Sequence, residues 1–246
     1  MPNPATHIEM AYRTAQIVDT PVIGQNMGCY LIGSTAPDVR VITKKGREPY
    51  HFASLDFDEV GAGVRGLFDQ YPELVTIGHG PTRAFFAGYI SHLILDETWI
   101  TKMYRPHFGV NGLFETEAYG AVMDRAMQLE LDLKALEDFD GRLADLAKFE
   151  GGLNVPFIDT DILAEWHRWV TDFVTQEFSW GRLRFMARRI ARGDEGHPAF
   201  HIADEFVRGM PGTLDGLHEV VPTKNLEDFK QDAITEIVGR VEEYLA

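Results

Sequence analysis

The chain has 246 residues, of which 45% are apolar, so it can build one sizeable hydrophobic core. Its 23 basic and 38 acidic residues give a formal charge of −15, which argues against nucleic acids and anionic membrane surfaces as partners, because these select basic patches. A single cysteine, Cys29, excludes an intrachain disulfide and a CxxC-type zinc site. No apolar run approaches the roughly 18 residues of a membrane span, and no secretory signal follows Met1. We therefore expect a cytoplasmic protein without stable membrane association.

The first predicted helix has two possible starts. Asn3-Pro4 forms a cap and first-turn pair, and Thr6-x-x-Glu9 has the form of a capping box. Apolar residues then recur at helical spacing until Asp19, which opens a breaking sequence that contains Pro21.

The rest of the chain also predicts helices, and the fold class is expected to be all-α with eight to ten helices. Alternating strand patterns are almost absent, except for one possible short strand at 39–43 within an irregular, locally basic segment, 39–57. After the first helix, the predicted helices cover residues 23–31, 59–71, 81–104, 114–149, 160–178, 180–192, 199–209 and 226–245. No repeat or low-complexity tract divides the chain, so we predict one α-helical metal-binding domain over residues 1–246.

Residues 81–104 form the most informative predicted helix. Apolar residues such as Phe86, Ile90 and Ile94 cover most of its circumference, which predicts burial on all faces. His92 and Asp96 lie four residues apart within it and project from one face. A buried carboxylate is costly unless it is paired or bound to a metal. The pair is therefore either a hydrogen-bonded pair in the core or part of a metal site.

Three earlier residues are candidates to complete such a site. His7 lies near the start of the first helix, Asp38 follows a proline, and His51 lies in a segment rich in turn residues. Imidazole and carboxylate are the usual ligands of zinc and other first-row divalent ions. Spacing alone only suggests a site, because nine histidines allow many accidental combinations.

At these residues the sequence resembles the zinc-dependent phospholipase C family. This family includes the catalytic domain of glycosylphosphatidylinositol-specific phospholipase D and is related to the S1/P1 nucleases. Four short segments stand in family order within about the first 105 residues, and together they are fairly specific. They are Ala-Thr-His-Ile-Glu at 5–9, Leu-Ile-Gly-Ser-Thr-Ala-Pro-Asp at 31–38, His51-Phe52, and Phe86-Ala-Gly-Tyr-Ile-Ser-His-Leu-Ile-Leu-Asp96 followed by Thr98-Trp99.

The resemblance implies a multi-helical fold of the phospholipase C/P1 nuclease type that contains a metal site. The implied ligands are His7, Asp38, His51, His92 and Asp96. In the family the aspartate of the buried helix bridges two metals, so Asp96 is expected in that place. His7 is then expected on one ion, and Asp38, His51 and His92 on the other. The resemblance also suggests that Asp38 orients or deprotonates a metal-bound water.

One departure from the family concerns a third metal. The phospholipase D relatives place a histidine ligand directly after the tryptophan, where this chain has Ile100. We considered His107 and the pair His201-x-x-x-Glu205 as replacements, but we interpret them first as ordinary surface residues. One or two ions are expected, zinc first, with manganese or iron as alternatives.

The activity implied by the resemblance is metal-dependent hydrolysis of a phosphate ester, either a diester or a monoester, in a small anionic substrate. Two alternatives stay open: a metal enzyme of another class that acts on a small metabolite, and a non-catalytic helical module held together by metal. Arg40 and the arginine-rich stretch 182–192 are candidate anion contacts, but we interpret both first as solvated or ion-paired surface. The sequence does not indicate an oligomeric state.

Overall fold

The computed structural model describes residues 1–137 and 139–246. Within these residues the protein consists of α-helices joined by short connections, with no strand, which confirms the predicted all-α class. The α-helices are α1 (Pro4–Val18), α2 (Pro21–Gly24), α3 (Met27–Gly33), α4 (Arg40–Thr43), α5 (Glu48–His51), α6 (Ala62–Gln70), α7 (Gly80–Trp99), α8 (Glu117–Leu136), α9 (Asp140–Leu146), α10 (Thr160–Thr175), α11 (Arg182–Ala191), α12 (Ala199–Arg208), α13 (Gly212–Val220) and α14 (Thr223–Leu245). Two 3-10 segments cover Ala36–Val39 and Pro72–Thr76, and a π-helical segment covers Ile100–Phe108.

Helix α7 lies at the centre of the molecule. Every residue from Ala84 to Trp99 is buried, as the apolar circumference of this helix predicts. Helices α1, α3 and α14 pack around it. A polar side chain on α7 therefore faces other protein groups rather than bulk water.

Helices α3 and α7 cross at very short distance because glycines lie at the contact. A Cβ atom added to Gly88 would lie 1.9 Å from the carbonyl oxygen of Tyr30, and one added to Gly33 would lie 2.0 Å from that of Phe85. Any larger residue would push the two backbones apart. This crossing fixes the end of α3 beside the polar turn of α7.

Helix α1 begins at the Asn3-Pro4 pair rather than at the capping box. Asn3 occupies the N-cap position in an extended conformation, and Pro4 is the first helical residue. Asp132 of α8 provides a hydrogen-bond acceptor for the first turn of α1. Its Oδ1 accepts hydrogen bonds from the backbone N–H and the hydroxyl of Thr6, at 3.1 and 2.7 Å. Helix α8 thereby holds the turn of α1 that carries His7.

The predicted strand at 39–43 is wrong. These residues continue the 3-10 segment Ala36–Val39 into α4. Their β-branched side chains favour strands, but no strand exists in the described part of the chain to pair with them. Segment 39–57 is also less irregular than expected, because His51 ends the short helix α5.

Other element boundaries differ from the prediction for local reasons. The helix predicted at 23–31 is divided between α2 and α3, and the one predicted at 114–149 between α8 and α9. Helix α13 was not predicted, since Pro211, Gly212 and Gly216 obscure its pattern. Fourteen α-helices in the described residues exceed the expected eight to ten because several are only four residues long.

The C-terminal helices close the structure around α8 and α7. Helices α11 and α12 pack on α8 and on each other, and α14 packs on both α1 and α7. Buried apolar residues from Ala5 to Tyr244 belong to one connected cluster. The single-domain organisation over residues 1–246 remains a prediction.

Candidate metal centre

Four segments bring the five predicted ligands together. His7 lies on α1, Asp38 in the first 3-10 segment, His51 at the end of α5, and His92 and Asp96 one turn apart on α7. Their side chains form two groups whose potential ligand atoms lie within 4.8 Å of one another. The first group contains His7, His92 and Asp96, and the second contains Asp38, His51 and His92.

Asp96 lies between the histidines, and its two oxygens face different partners. Oδ1 is 3.4 Å from Nε2 of His7. Oδ2 is 3.2 Å from Nε2 of His51 and 3.5 Å from Nε2 of His92. A carboxylate in this position can contact two cations, one through each oxygen.

Backbone carbonyls orient two of the imidazole rings. The Nδ1 of His92 lies 2.9 Å from the carbonyl oxygen of Ser34, at the end of α3. The Nδ1 of His51 lies 3.3 Å from the carbonyl oxygen of Arg47. In each ring, a hydrogen bond at Nδ1 directs Nε2 toward Asp96, which is the arrangement that metal-binding histidines commonly have.

Several buried atoms of the centre have no hydrogen-bond partner among the described residues. These are both ring nitrogens of His7 and Oδ1 of Asp96. The His7 ring stacks on His92 with centroids 3.9 Å apart, so it cannot turn toward solvent without breaking this contact. An unsatisfied buried polar group costs about 1–3 kcal/mol. A divalent cation would satisfy Oδ1 of Asp96 and one ring nitrogen of His7, and the donor set suits zinc.

Protonation equilibria favour the metal-binding forms of His7, His51 and Asp96. Burial lowers the pKa of His7 to about 4, and the charge of His92 acts in the same direction. Burial also lowers the pKa of His51. It opposes ionisation of Asp96, but the charge of His92 and the close contacts with His51, His7 and His92 outweigh it and hold the pKa of Asp96 well below its usual range. Neutral imidazole and ionised carboxylate are the metal-binding states.

The centre meets solvent at Asp38. The side chain of Asp38 is 17% exposed, whereas those of His51, His92 and Asp96 are at most 1% exposed. Burial opposes ionisation of Asp38 too, but the charges of His92, His51 and Arg40 together outweigh it and lower the pKa of this carboxyl. Asp38 is therefore the acidic member of the centre that a substrate in solution can approach.

Glu97 is a buried carboxylate that the sequence analysis did not single out. It accepts hydrogen bonds from the backbone N–H groups of residues 61–63 at 2.5, 3.1 and 2.7 Å, and so caps the start of α6. A Cβ added to Gly63 would lie 2.5 Å from the carbonyl oxygen of His51. Glu97 therefore fixes the backbone beside His51. In the sequence, the only signal for this role is that Glu97 directly follows Asp96 in a helix predicted to be buried.

The residues considered as replacement ligands lie outside both groups. Ile100 starts the π-helical segment, and the preceding Trp99 donates its indole N–H to Asp124 at 2.9 Å. His107 Nε2 lies 3.0 Å from the side-chain nitrogen of Asn225. Neither His107 nor His201 belongs to a group of three potential metal ligands within the described residues.

Comparison with known families shows to which family the chain belongs. The sequence profile of the family described as zinc dependent phospholipase C matches residues 6–180. This range covers more than half of the chain and contains all five side chains. Searches of curated proteins and of solved structures gave no match. In the described residues, no helix combines the length and the apolar character needed to cross a membrane.

Proposed function

The chain belongs to the zinc-dependent phospholipase C family, and on this premise we propose that it hydrolyses a phosphate ester with a metal-activated water. The observation that carries the proposal is the convergence of five side chains: His7, Asp38, His51, His92 and Asp96. Some of their buried ligand atoms have no hydrogen-bond partner in the part of the chain that the structure describes. A family of metal-dependent hydrolases and a ligand set suited to zinc point to the same class of reaction.

The arrangement supports two cation positions. His7 faces one oxygen of Asp96, and His51 and His92 face the other. We assign His7 to one ion, and Asp38, His51 and His92 to the second, with Asp96 between them. His92 also lies within reach of the first position, since it belongs to both groups.

Asp38 and the buried histidines would have different roles in the reaction. Bound divalent ions supply Lewis acidity and lower the pKa of a coordinated water. Asp38 is the partly exposed carboxylate of the centre, so it is placed to orient a water and accept its proton. The buried histidines and the backbone carbonyls behind them hold the centre rigid.

Substitution of Asp38 tests this proposal. Wild-type protein, D38N and the matched control E205Q are assayed with a chromogenic phosphodiester and a phosphomonoester in the presence of zinc, manganese or iron. We expect the wild type and E205Q to hydrolyse at least one ester. In D38N, kcat should fall about 100-fold or more, because both a ligand and a proton acceptor are altered. Metal content is measured on the same samples.

Two results would contradict the proposal. Metal bound in the wild type without turnover of any ester would favour a metal enzyme of another class, and iron with a visible absorption band would favour oxidative chemistry. Equal traces of metal in the wild type and in D38N, again without turnover, would favour the non-catalytic module.

A further inference from the structure

Two arginines contact the carboxylates of the candidate metal centre. Nη2 of Arg47, the residue at the start of α5, lies 3.5 Å from Oδ2 of Asp96. Nε of Arg40, the first residue of α4, lies 3.5 Å from Oδ1 of Asp38. Both distances are long for charge-assisted hydrogen bonds, which are typically about 2.7–2.9 Å. The two guanidinium groups therefore lie beside predicted ligand atoms without binding them tightly.

Arg47 is held in place although its charge is only weakly paired. Its Nη1 donates to the carbonyl oxygen of Ala53 at 3.1 Å. Its Nε is buried and has no hydrogen-bond partner among the described residues. The side chain is 13% exposed, whereas that of Asp96 is 1% exposed. Arg47 thus places a positive charge between the buried carboxylate and the solvent.

The arginines contact only one of the two cation positions assigned above. Oδ2 of Asp96, which faces the second position, also contacts Arg47. Asp38, a predicted ligand of the same position, contacts Arg40. Oδ1 of Asp96 faces His7 in the first position, and in the part of the chain that the structure describes it pairs with no arginine and has no hydrogen-bond partner. A cation can therefore take the first position freely, but in the second it must compete with two guanidinium groups.

We propose that Arg47 and Arg40 couple the second ion to a phosphate anion, so that each of these two ligands binds the centre more tightly when the other is present. The identity of this anion as a substrate phosphate rests on the proposed function. Each guanidinium repels a divalent cation on the carboxylate that it contacts, which weakens the second ion relative to the first.

The coupling follows from competition for the same charged groups. A cation on Asp96 and Asp38 takes up their negative charge, and this releases Arg47 and Arg40 to donate to phosphate oxygens. A bound phosphate in turn neutralises the guanidinium charges that oppose the cation. Because coupling between two binding events is reciprocal, each ligand must raise the affinity of the other by the same factor.

Zinc titration tests the competition without requiring catalysis. A chelator sets the free zinc concentration, and bound zinc is measured for the wild type, R47Q, R47K, R40Q and the control R240Q, which alters an exposed arginine paired with Glu243 on α14. We expect the wild type to bind one ion about tenfold or more tightly than the other, and R47Q to tighten the weaker ion about tenfold. R47K, which keeps the charge, and R240Q should stay within about twofold of the wild type. R40Q should act in the same direction as R47Q but less, because the side chain of Arg40 is 30% exposed.

Inorganic phosphate tests the coupling itself. The zinc titrations are repeated with phosphate, and phosphate binding is measured by calorimetry at a buffered zinc concentration that fills both positions. Phosphate should tighten the weaker ion about tenfold in the wild type and in R240Q, and clearly less in R47Q. R47Q should bind phosphate about tenfold more weakly, and R47K should recover only part of this loss, because lysine lacks the paired donors of arginine.

The signs of these changes distinguish the coupling from a structural role of Arg47. Weaker binding of both zinc and phosphate in R47Q, or no change in either, would overturn the proposal whether or not esters are hydrolysed. Fewer than two zinc ions bound by the wild type, with and without phosphate, or no binding of phosphate to it, would overturn the proposal as well. Tighter zinc and weaker phosphate in R47Q, without hydrolysis of any ester, would uphold the coupling and reject the proposed function.

Discussion

Helices α7 and α12 each carry a histidine followed four residues later by an acidic residue, but only one of these pairs lies in a candidate site. His92 and Asp96 on α7 are fully buried, and they meet His7 and His51 from two other helices. On α12, Nε2 of His201 lies 3.2 Å from Oε1 of Glu205, but both side chains are largely exposed. Among the residues that the structure describes, no third potential ligand groups with them. Spacing places two ligands on one helical face, whereas burial and convergence of other segments distinguish a candidate site from an ordinary surface ion pair.

The strongest test of this contrast removes the acidic residue of each pair. We expect D96N to weaken metal binding by at least about 100-fold, because even the residues that support metal ligands are worth about 10–100-fold. E205Q should leave metal affinity unchanged. Competition with a chromogenic chelator measures both. Equal metal affinity in the two variants would mean that the α7 pair is only a core hydrogen bond.

A second test asks whether close packing of α3 supports the α7 pair. G88A should lower the unfolding free energy by about 3 kcal/mol, because the added methyl group would collide with the backbone of Tyr30. Any folded G88A should also bind metal more weakly, since α3 positions the Ser34 carbonyl that orients His92.

The matched control for G88A is G239A in α14, where an added Cβ meets nothing within 4 Å. This change should raise stability by about 0.5–1 kcal/mol, as alanine is the better helix former. Chemical denaturation measures both variants. Equal stability of G88A and the wild type would show that α3 can move away without consequence.

A third and smaller effect is the pH dependence of stability caused by Asp132, which is buried beside the first turn of α1. The exposed pair on α12 has no such buried carboxylate beside it. Burial raises the pKa of Asp132 to about 6, against the hydrogen bonds from Thr6 that lower it. The folded protein then binds an extra proton between about pH 4 and 6, so its unfolding free energy should fall by up to about 3 kcal/mol as the pH rises through this range.

The variant D132N isolates this effect, because an amide oxygen can still accept the two hydrogen bonds from Thr6. Its unfolding free energy should lack the decline attributed to Asp132, whereas D140N, at an exposed position, should retain it. Urea denaturation at several pH values provides the measurement. Parallel pH curves for the wild type and D132N would refute the assignment.

The sequence could predict the helical class and the five converging residues because each depends on local pattern or on ordered short segments. The burial of α7 followed directly from its apolar circumference. The path of residues 39–57 could not be predicted, since a short β-branched run favours a strand until the packing around Val39 is known. Glu97 was missed as a contributor because the backbone groups that it binds come from a segment distant in the chain.

The adjacent acids of α7 have a consequence for the rotation of that helix about its own axis. Successive residues of an α-helix point about 100° apart, so Asp96 and Glu97 face different sides. One contacts the histidines, and the other accepts three backbone N–H groups at the start of α6. Neither contact survives if α7 turns, so the two carboxylates together set its angular orientation. An insertion or deletion of one residue between Ala84 and His92 would rotate every ligand on this helix out of alignment.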